Sequence, residues 1–177
     1  MPKEIERRFL VGDDGWRNFV SDSVRLRDGL LAFYDGRKIR IRFYDEKATL
    51  TVKGPRKGIA RDELEYEIPA SDGLALLEND CKGEVIEKTR HRIAAGDLEW
   101  HVDEYHGLLE GLIIAEIELS SEDSVVELPA WVSKEVTGID KYRKSNLVKA
   151  RKKKIADAAR RAKARSSVAK SGEGFTS

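Results

Sequence analysis

Residues 61–68 read Arg61-Asp62-Glu63-Leu64-Glu65-Tyr66-Glu67-Ile68, with charged residues at every odd position and mainly apolar ones between them. A period of two marks a strand, because successive side chains point to opposite faces. This strand therefore has one wholly charged face. The same alternation runs outward in both directions and predicts strands at 3–11, 25–33, 38–45, 48–54, 61–68, 84–94, 98–106 and 111–120. Turn residues separate them, among them Asp35-Gly36, Asp45-Glu46, Gly54-Pro55 to Gly58, Gly96-Asp97 and Gly107. Connections this short favour antiparallel pairing, since parallel strands need long crossovers. Short helices are expected at 16–22 and at Ser71–Asp80, the second capped by Ser71. After Pro129, residues 130–136 and 139 onward read as helices with Gly138 at the break.

The charged rows decide more than the strands themselves. Glu4/Glu6/Arg8, Arg40/Arg42, Glu63/Glu65/Glu67, Lys88/Arg90/Arg92, His101/Asp103 and Glu116/Glu118 each occupy one face of a strand, and Lys53 follows Thr51 on another. One such row is ordinarily a solvated sheet face. Repeated on seven strands, rows of like charge repel unless cations and anions interleave. A closed barrel with a charged interior satisfies this and leaves no exposed edges. Its apolar outer face, including Ile5, Ile41, Val52, Tyr66 and Ile117, then needs covering by helices or by a second subunit. That need favours a homodimer.

Composition narrows the classes further. The 177 residues hold 33 Lys+Arg and 32 Asp+Glu, and 37% are charged, against an average of about 25%. A single cysteine, Cys81, excludes an internal disulfide framework and fits a reducing compartment. No apolar run is long enough to span a membrane, and the first residues lack a signal peptide's apolar core. A cytoplasmic protein with no membrane partner is expected. The charge is unevenly distributed: 151–177 holds nine Lys/Arg and two acids, whereas 1–150 holds 24 and 30. The chain thus reads as one domain over 1–150 with a basic, partly disordered extension over 151–177, irregular at its Ser/Gly-rich end, 166–177. The extension is a candidate arm for a polyanion. His91, His101 and His106 lack zinc-ligand spacing with Cys81, and no glycine-rich phosphate loop is present. Trp16, Trp100 and Trp131 read as core or interface residues.

The ordered set Glu4-Ile5-Glu6-Arg7-Arg8, Arg40-Ile41-Arg42, Thr51-Val52-Lys53-Gly54, Glu63-Leu64-Glu65-Tyr66-Glu67, Glu87-Lys88-Thr89-Arg90, Val102-Asp103, Glu116-Ile117-Glu118 and Glu135-Val136-Thr137 resembles the CYTH, or triphosphate tunnel metalloenzyme, family. The likeness covers roughly residues 3–147, with Arg8 standing where the ExExK signature has lysine. It implies an α+β, mainly β fold: an eight-stranded antiparallel β-barrel with a charged interior, flanking helices and a C-terminal helix. It implies hydrolysis of a triphosphate, inorganic triphosphate first, with Mg²⁺ or Mn²⁺. Thiamine triphosphate hydrolysis, class IV-type adenylate cyclisation and a non-catalytic polyphosphate- or nucleotide-binding module are the alternatives. On this resemblance the anion is held by Arg40, Arg42, Lys53, Arg61, Lys88 and Arg90, as the phosphate affinity of guanidinium and ammonium groups suggests. Hard divalent cations want carboxylate oxygens, which Glu4, Glu6, Glu65, Glu67, Asp103, Glu116 and Glu118 supply. Glu4, Glu6, Arg8, Glu116 and Glu118 are the expected catalytic set. One metal would bridge phosphate oxygens and a second would orient water.

Overall fold

The computed structural model describes residues 2–81 and 83–172. They form two compact units, Met1–Ile139 and Asp140–Ser177. In the first unit, β1 (Lys3–Val11) is followed by a 3-10 turn at Asp14–Phe19, then β2 (Asp22–Tyr34), β3 (Arg37–Tyr44), β4 (Lys47–Lys53) and β5 (Ala60–Ile68). Next come α1 (Ala70–Asn79), β6 (Ile86–Ala95), β7 (Leu98–Tyr105), β8 (Ile113–Glu118) and β9 (Val132–Glu135). The sheet order is β5-β4-β3-β2-β6-β7-β8-β1-β9, with a further β5–β1 pairing. That pairing closes eight strands into an antiparallel barrel, with β9 as an extra strand beside β1. Closure rests on Lys3, Glu4 and Ile5 of β1 opposite Asp62, Arg61 and Ala60 of β5. The β2–β3 hairpin turns through Asp35 and Gly36, both at positive φ (47° and 74°), the backbone that a two-residue turn matched to strand twist requires.

The strand at Val132–Glu135 replaces the helix expected over 130–136. β1 explains it. Beyond Ile5 its outer edge has left β5, and β9 supplies partners at Phe9 and Val11. Val136 N–H donates to the Arg8 carbonyl at 2.8 Å and Gly12 N–H to that of Trp131 at 2.8 Å. An unpaired edge inside a covered sheet costs more than the helical preference of four residues. A second correction concerns α1, which begins at Ala70 behind Pro69 and has no side-chain cap; Ser71 Oγ instead meets Asp72 Oδ1 at 3.2 Å.

Two apolar clusters lie outside the barrel wall. Phe9, Trp16, Ile93, Trp100, Val102, Ala115, Ile117 and Trp131 pack under the 3-10 turn and the segment before β9. Ile41, Phe43, Ala48 and Leu77 pack where α1 crosses β3 and β4. The chain's own segments thus cover Ile41 and Ile117, both 0% exposed, while Tyr66 remains 53% exposed. In the second unit, a 3-10 turn at Asp140–Tyr142 leads into α2 (Lys144–Gly172). The helix includes much of the end expected to be irregular; the rest of that stretch, 173–177, lies outside the described residues. No helix of the described residues is long and apolar enough to cross a membrane.

Candidate active site

The registers place opposite charges face to face. Across the strands, Arg8 stands opposite Glu116, Arg90 opposite Asp103, Arg42 opposite Asp28, Lys53 opposite Glu63, and Glu4 opposite Arg61. The side chains then join into three groups.

At one group, Lys53 Nζ donates to Glu4 Oε1 at 2.8 Å and contacts Glu63 Oε2 at 2.5 Å, and Arg61 also donates to Glu4. Arg56, from the β4–β5 loop, donates to Glu6 Oε1 at 2.5 Å and to the Ile59 carbonyl at 3.0 Å. The second group centres on Arg90. It grips Asp103 through Nε at 2.7 Å and Nη2 at 2.9 Å, and reaches Glu116 Oε2 at 2.7 Å. Arg8 Nε holds the other Glu116 oxygen at 2.9 Å, and Lys88 donates to Asp103. His101 Nδ1 accepts from Arg90 at 3.2 Å, which leaves the ring proton on Nε2 toward Glu99. In the third group, Arg42 holds Asp28 by a two-pronged contact at 2.6 and 2.9 Å and donates to Tyr44 at 3.2 Å. Arg40 donates to Thr51 Oγ1 at 3.2 Å, and Thr51 donates to Glu65 at 2.8 Å.

These contacts set the electrostatics. Burial alone would raise the Glu4 carboxyl, but Lys53 and Arg61 pull it far below its usual range. Asp103 is likewise desolvated, yet Arg90 and Lys88 lower it to about 2. Arg8 loses hydration and is held charged by Glu116. Arg40 is the exception among the guanidiniums. Burial and the neighbouring Arg42 lower its pKa, its carboxylate neighbours Asp28 and Glu65 stand off at 3.8 and 3.7 Å, and its Nε has no acceptor. At the other sign, Glu118 is raised by partial burial and by repulsion from Glu4 and Glu6.

All six expected anion-binding cations are thus buried or half-buried. Glu4 and Glu6 belong to the first group, Arg8, Asp103 and Glu116 to the second, and Glu65 joins the third through Thr51. Glu65, Glu67 and Glu118 keep part of their surface in contact with solvent, opposite Thr51, Thr49 and Glu6. Asp28, Arg56 and Tyr105 were not singled out from the sequence. Asp28 sits between Leu26 and Leu30 on an otherwise apolar row, and Arg56 lies in a turn, so neither carries a charged alternation. The Tyr105 hydroxyl is buried with no hydrogen-bond partner.

Among the described residues, no three His, Cys, Asp or Glu side chains form a ready-made metal site. The donor chemistry nonetheless fits a hard divalent cation. Glu118 is crowded by two carboxylates, and a cation there would relieve their repulsion.

Comparison with known proteins adds three findings. The family model described as "CYTH domain" matches residues 2–152. A protein of Acetivibrio thermocellus named inorganic triphosphatase is 44% identical over 149 residues, covering 84% of this chain and 95% of that relative. A crystal structure of an inorganic triphosphatase aligns with TM-score 0.57 and 30% identity over 82% of this chain and 97% of its own. The fold also matches a Pyrococcus horikoshii protein (TM-score 0.56, 17% identity, 68% of this chain and 80% of that one).

Proposed function

This chain belongs to the CYTH domain family, and from that premise we propose that it hydrolyses inorganic triphosphate to diphosphate and phosphate inside the barrel. Arg40 carries the reading. A half-buried guanidinium whose buried Nε has no acceptor and which has no carboxylate closer than 3.7 Å is under-compensated, and an anionic ligand is what would complete it. The likeness to named inorganic triphosphatases supports the choice of anion.

The network also suggests how the ligand enters. Lys53, Arg61, Lys88 and Arg90 now neutralise Glu4 and Asp103, while Arg8 shares Glu116 with Arg90. Phosphate oxygens would take over those cations, with Arg40 and Arg42 gripping one end of the chain. The released carboxylates Glu4, Glu6, Glu116 and Glu118, with Asp103 and Glu65 beside them, would hold Mg²⁺ or Mn²⁺. When bound, such an ion polarises phosphoryl oxygens and lowers the pKa of water. Arg8 and Arg90 would stabilise charge on the transferred phosphoryl group, and Lys53 and Arg61 would fix the chain for in-line attack. Arg8 can do this only as a cation, since guanidinium does not lose its proton.

Family coverage to residue 152 supports a catalytic domain over 1–150 and an appended basic extension over 151–177. Exposed Tyr66, together with Phe33 (58% exposed) and Tyr34 (78%), supports a homodimer; a monomer by light scattering would remove that part. Free Cys81 supports a cytoplasmic setting.

The experiment is phosphate release from inorganic triphosphate, ATP and thiamine triphosphate, each with Mg²⁺, Mn²⁺ or EDTA. Release from inorganic triphosphate that EDTA abolishes is the expected result. Turnover of an organic triphosphate alone would change the substrate. Stabilisation by triphosphate without turnover would make the barrel a binding module.

A further inference from the structure

α2 carries charge out of proportion to the rest of the chain. From Lys144 to Lys163 it holds nine Lys/Arg and one acid, Asp157. Over 149–163 every residue but Asp157 is exposed, and Ile155, its apolar residue there besides alanine, is 53% exposed. At about 100° per residue, the consecutive Arg151, Lys152, Lys153 and Lys154 point to all four sides of the helix. Arg160, Arg161 and Lys163 extend the distribution. A helix meant to pack on protein keeps an apolar stripe. Over 149–163 this one has none. Although Asp157 offsets Lys153, Lys154, Arg160 and Arg161, the like charges Lys149 with Lys152 and Lys153, Arg151 with Lys154, and Arg160 with Lys163 stand three or four residues apart and disfavour the helix. A polyanion would relieve that repulsion.

The composition also discriminates between polyanions. Between Leu147 and Gly172 there is no aromatic residue and no Asn, Gln or His. The helix therefore offers no ring on which a base could stack and no amide to read adenine. It can contact phosphates, and it presents cations on every side. A stiff duplex engages a straight helix along part of its circumference, whereas a flexible chain can wind around it.

We propose that α2 is a binding arm for long-chain inorganic polyphosphate, a flexible and unsubstituted chain of phosphates. The inference goes beyond hydrolysis in the barrel and does not depend on it.

The test uses the full chain in EDTA, so that turnover cannot consume the probe. Fluorescently labelled polyphosphate of about 100 units is titrated with the parent protein and with a variant carrying Lys153→Gln, Lys154→Gln, Arg160→Gln, Arg161→Gln and Lys163→Gln. Glutamine has helix propensity close to that of lysine and arginine, and circular dichroism checks that the helix persists. The expected result is at least a tenfold weaker Kd for the variant. The slope of log affinity against log salt should flatten by about 3–4 for five lost contacts. Triphosphate hydrolysis by the variant, measured separately with metal, should be unchanged. Should the variant misfold, the parent's salt slope and its gain in affinity with polyphosphate length decide. Equal affinity in parent and variant, no binding by the parent, or tighter binding of single-stranded or duplex DNA of matched charge would each overturn the proposal. No triphosphate hydrolysis by the parent, with its polyphosphate binding as expected and weakened in the variant, would strike the barrel reading alone.

Discussion

Arg40 and Arg42 stand two residues apart on β3, yet the contacts give them different energetic roles. Arg42 is locked to buried Asp28. Arg42→Ala would take from that buried carboxylate its two-pronged partner, and removing one side of a buried ion pair typically costs about 3–5 kcal/mol, so a large loss of melting temperature should accompany any loss of activity. Arg40 makes no close ion pair. Arg40→Ala should leave the melting temperature nearly unchanged while lowering kcat/KM for triphosphate about 10- to 100-fold, the worth of a charge-assisted hydrogen bond. Parallel kinetics and thermal melts separate the two cases, and unchanged kinetics for Arg40→Ala would take Arg40 out of the anion site. Glu118 makes the opposite trade. Its folded pKa lies above the ordinary 4.5, so its charged form destabilises the metal-free fold. The cost is full above the folded pKa, shrinks as pH falls through it, and is gone below the unfolded value. In EDTA, Glu118→Gln should therefore melt higher than the parent at pH 7–8, with the gap closing toward pH 4.5. The same variant should be nearly inactive. A lower melting temperature at pH 8 would show that Glu118 is not crowded by Glu4 and Glu6.

Element by element, the strands were legible because burial on one side and charge on the other leave a period-two record. The segments that cover the barrel were less so. β9 forms because β1 offers it an unpaired edge, a cause residing in Phe9 to Val11 rather than in Val132–Glu135 itself. The seating of α1 also depends on residues far from it in sequence. A Cβ at Gly29 on β2 would collide with Cys81 Sγ and Leu77 Cδ1, and one at Gly73 with Ala48. Gly29→Ala should therefore lift α1 from the wall and cost about 1–3 kcal/mol. Chemical denaturation measures this, and an unchanged midpoint would mean that α1 shifts freely.

At the scale of the whole molecule, the interior compensates its own charge. On the proposed reading, each cation that triphosphate captured would release a carboxylate, and each carboxylate that a metal ion captured would release a cation. Ligand and metal should therefore bind with positive and reciprocal coupling. A methylene-bridged triphosphate analogue and Mg²⁺ together should raise the melting temperature by more than the sum of their separate effects. Simple additivity would show that the ion pairs do not exchange.

The sequence by itself determined the eight barrel strands, the charged rows and the basic composition of 151–177, because side-chain alternation and composition are local properties. It also exposed the family likeness, through motifs in a fixed order. Which charges pair was decided only by tertiary structure. Asp28 became the partner of Arg42, Arg56 of Glu6, and Arg40 was left under-compensated because closing the barrel sets registers between strands distant in sequence. Burial then makes each of those pairings energetically decisive.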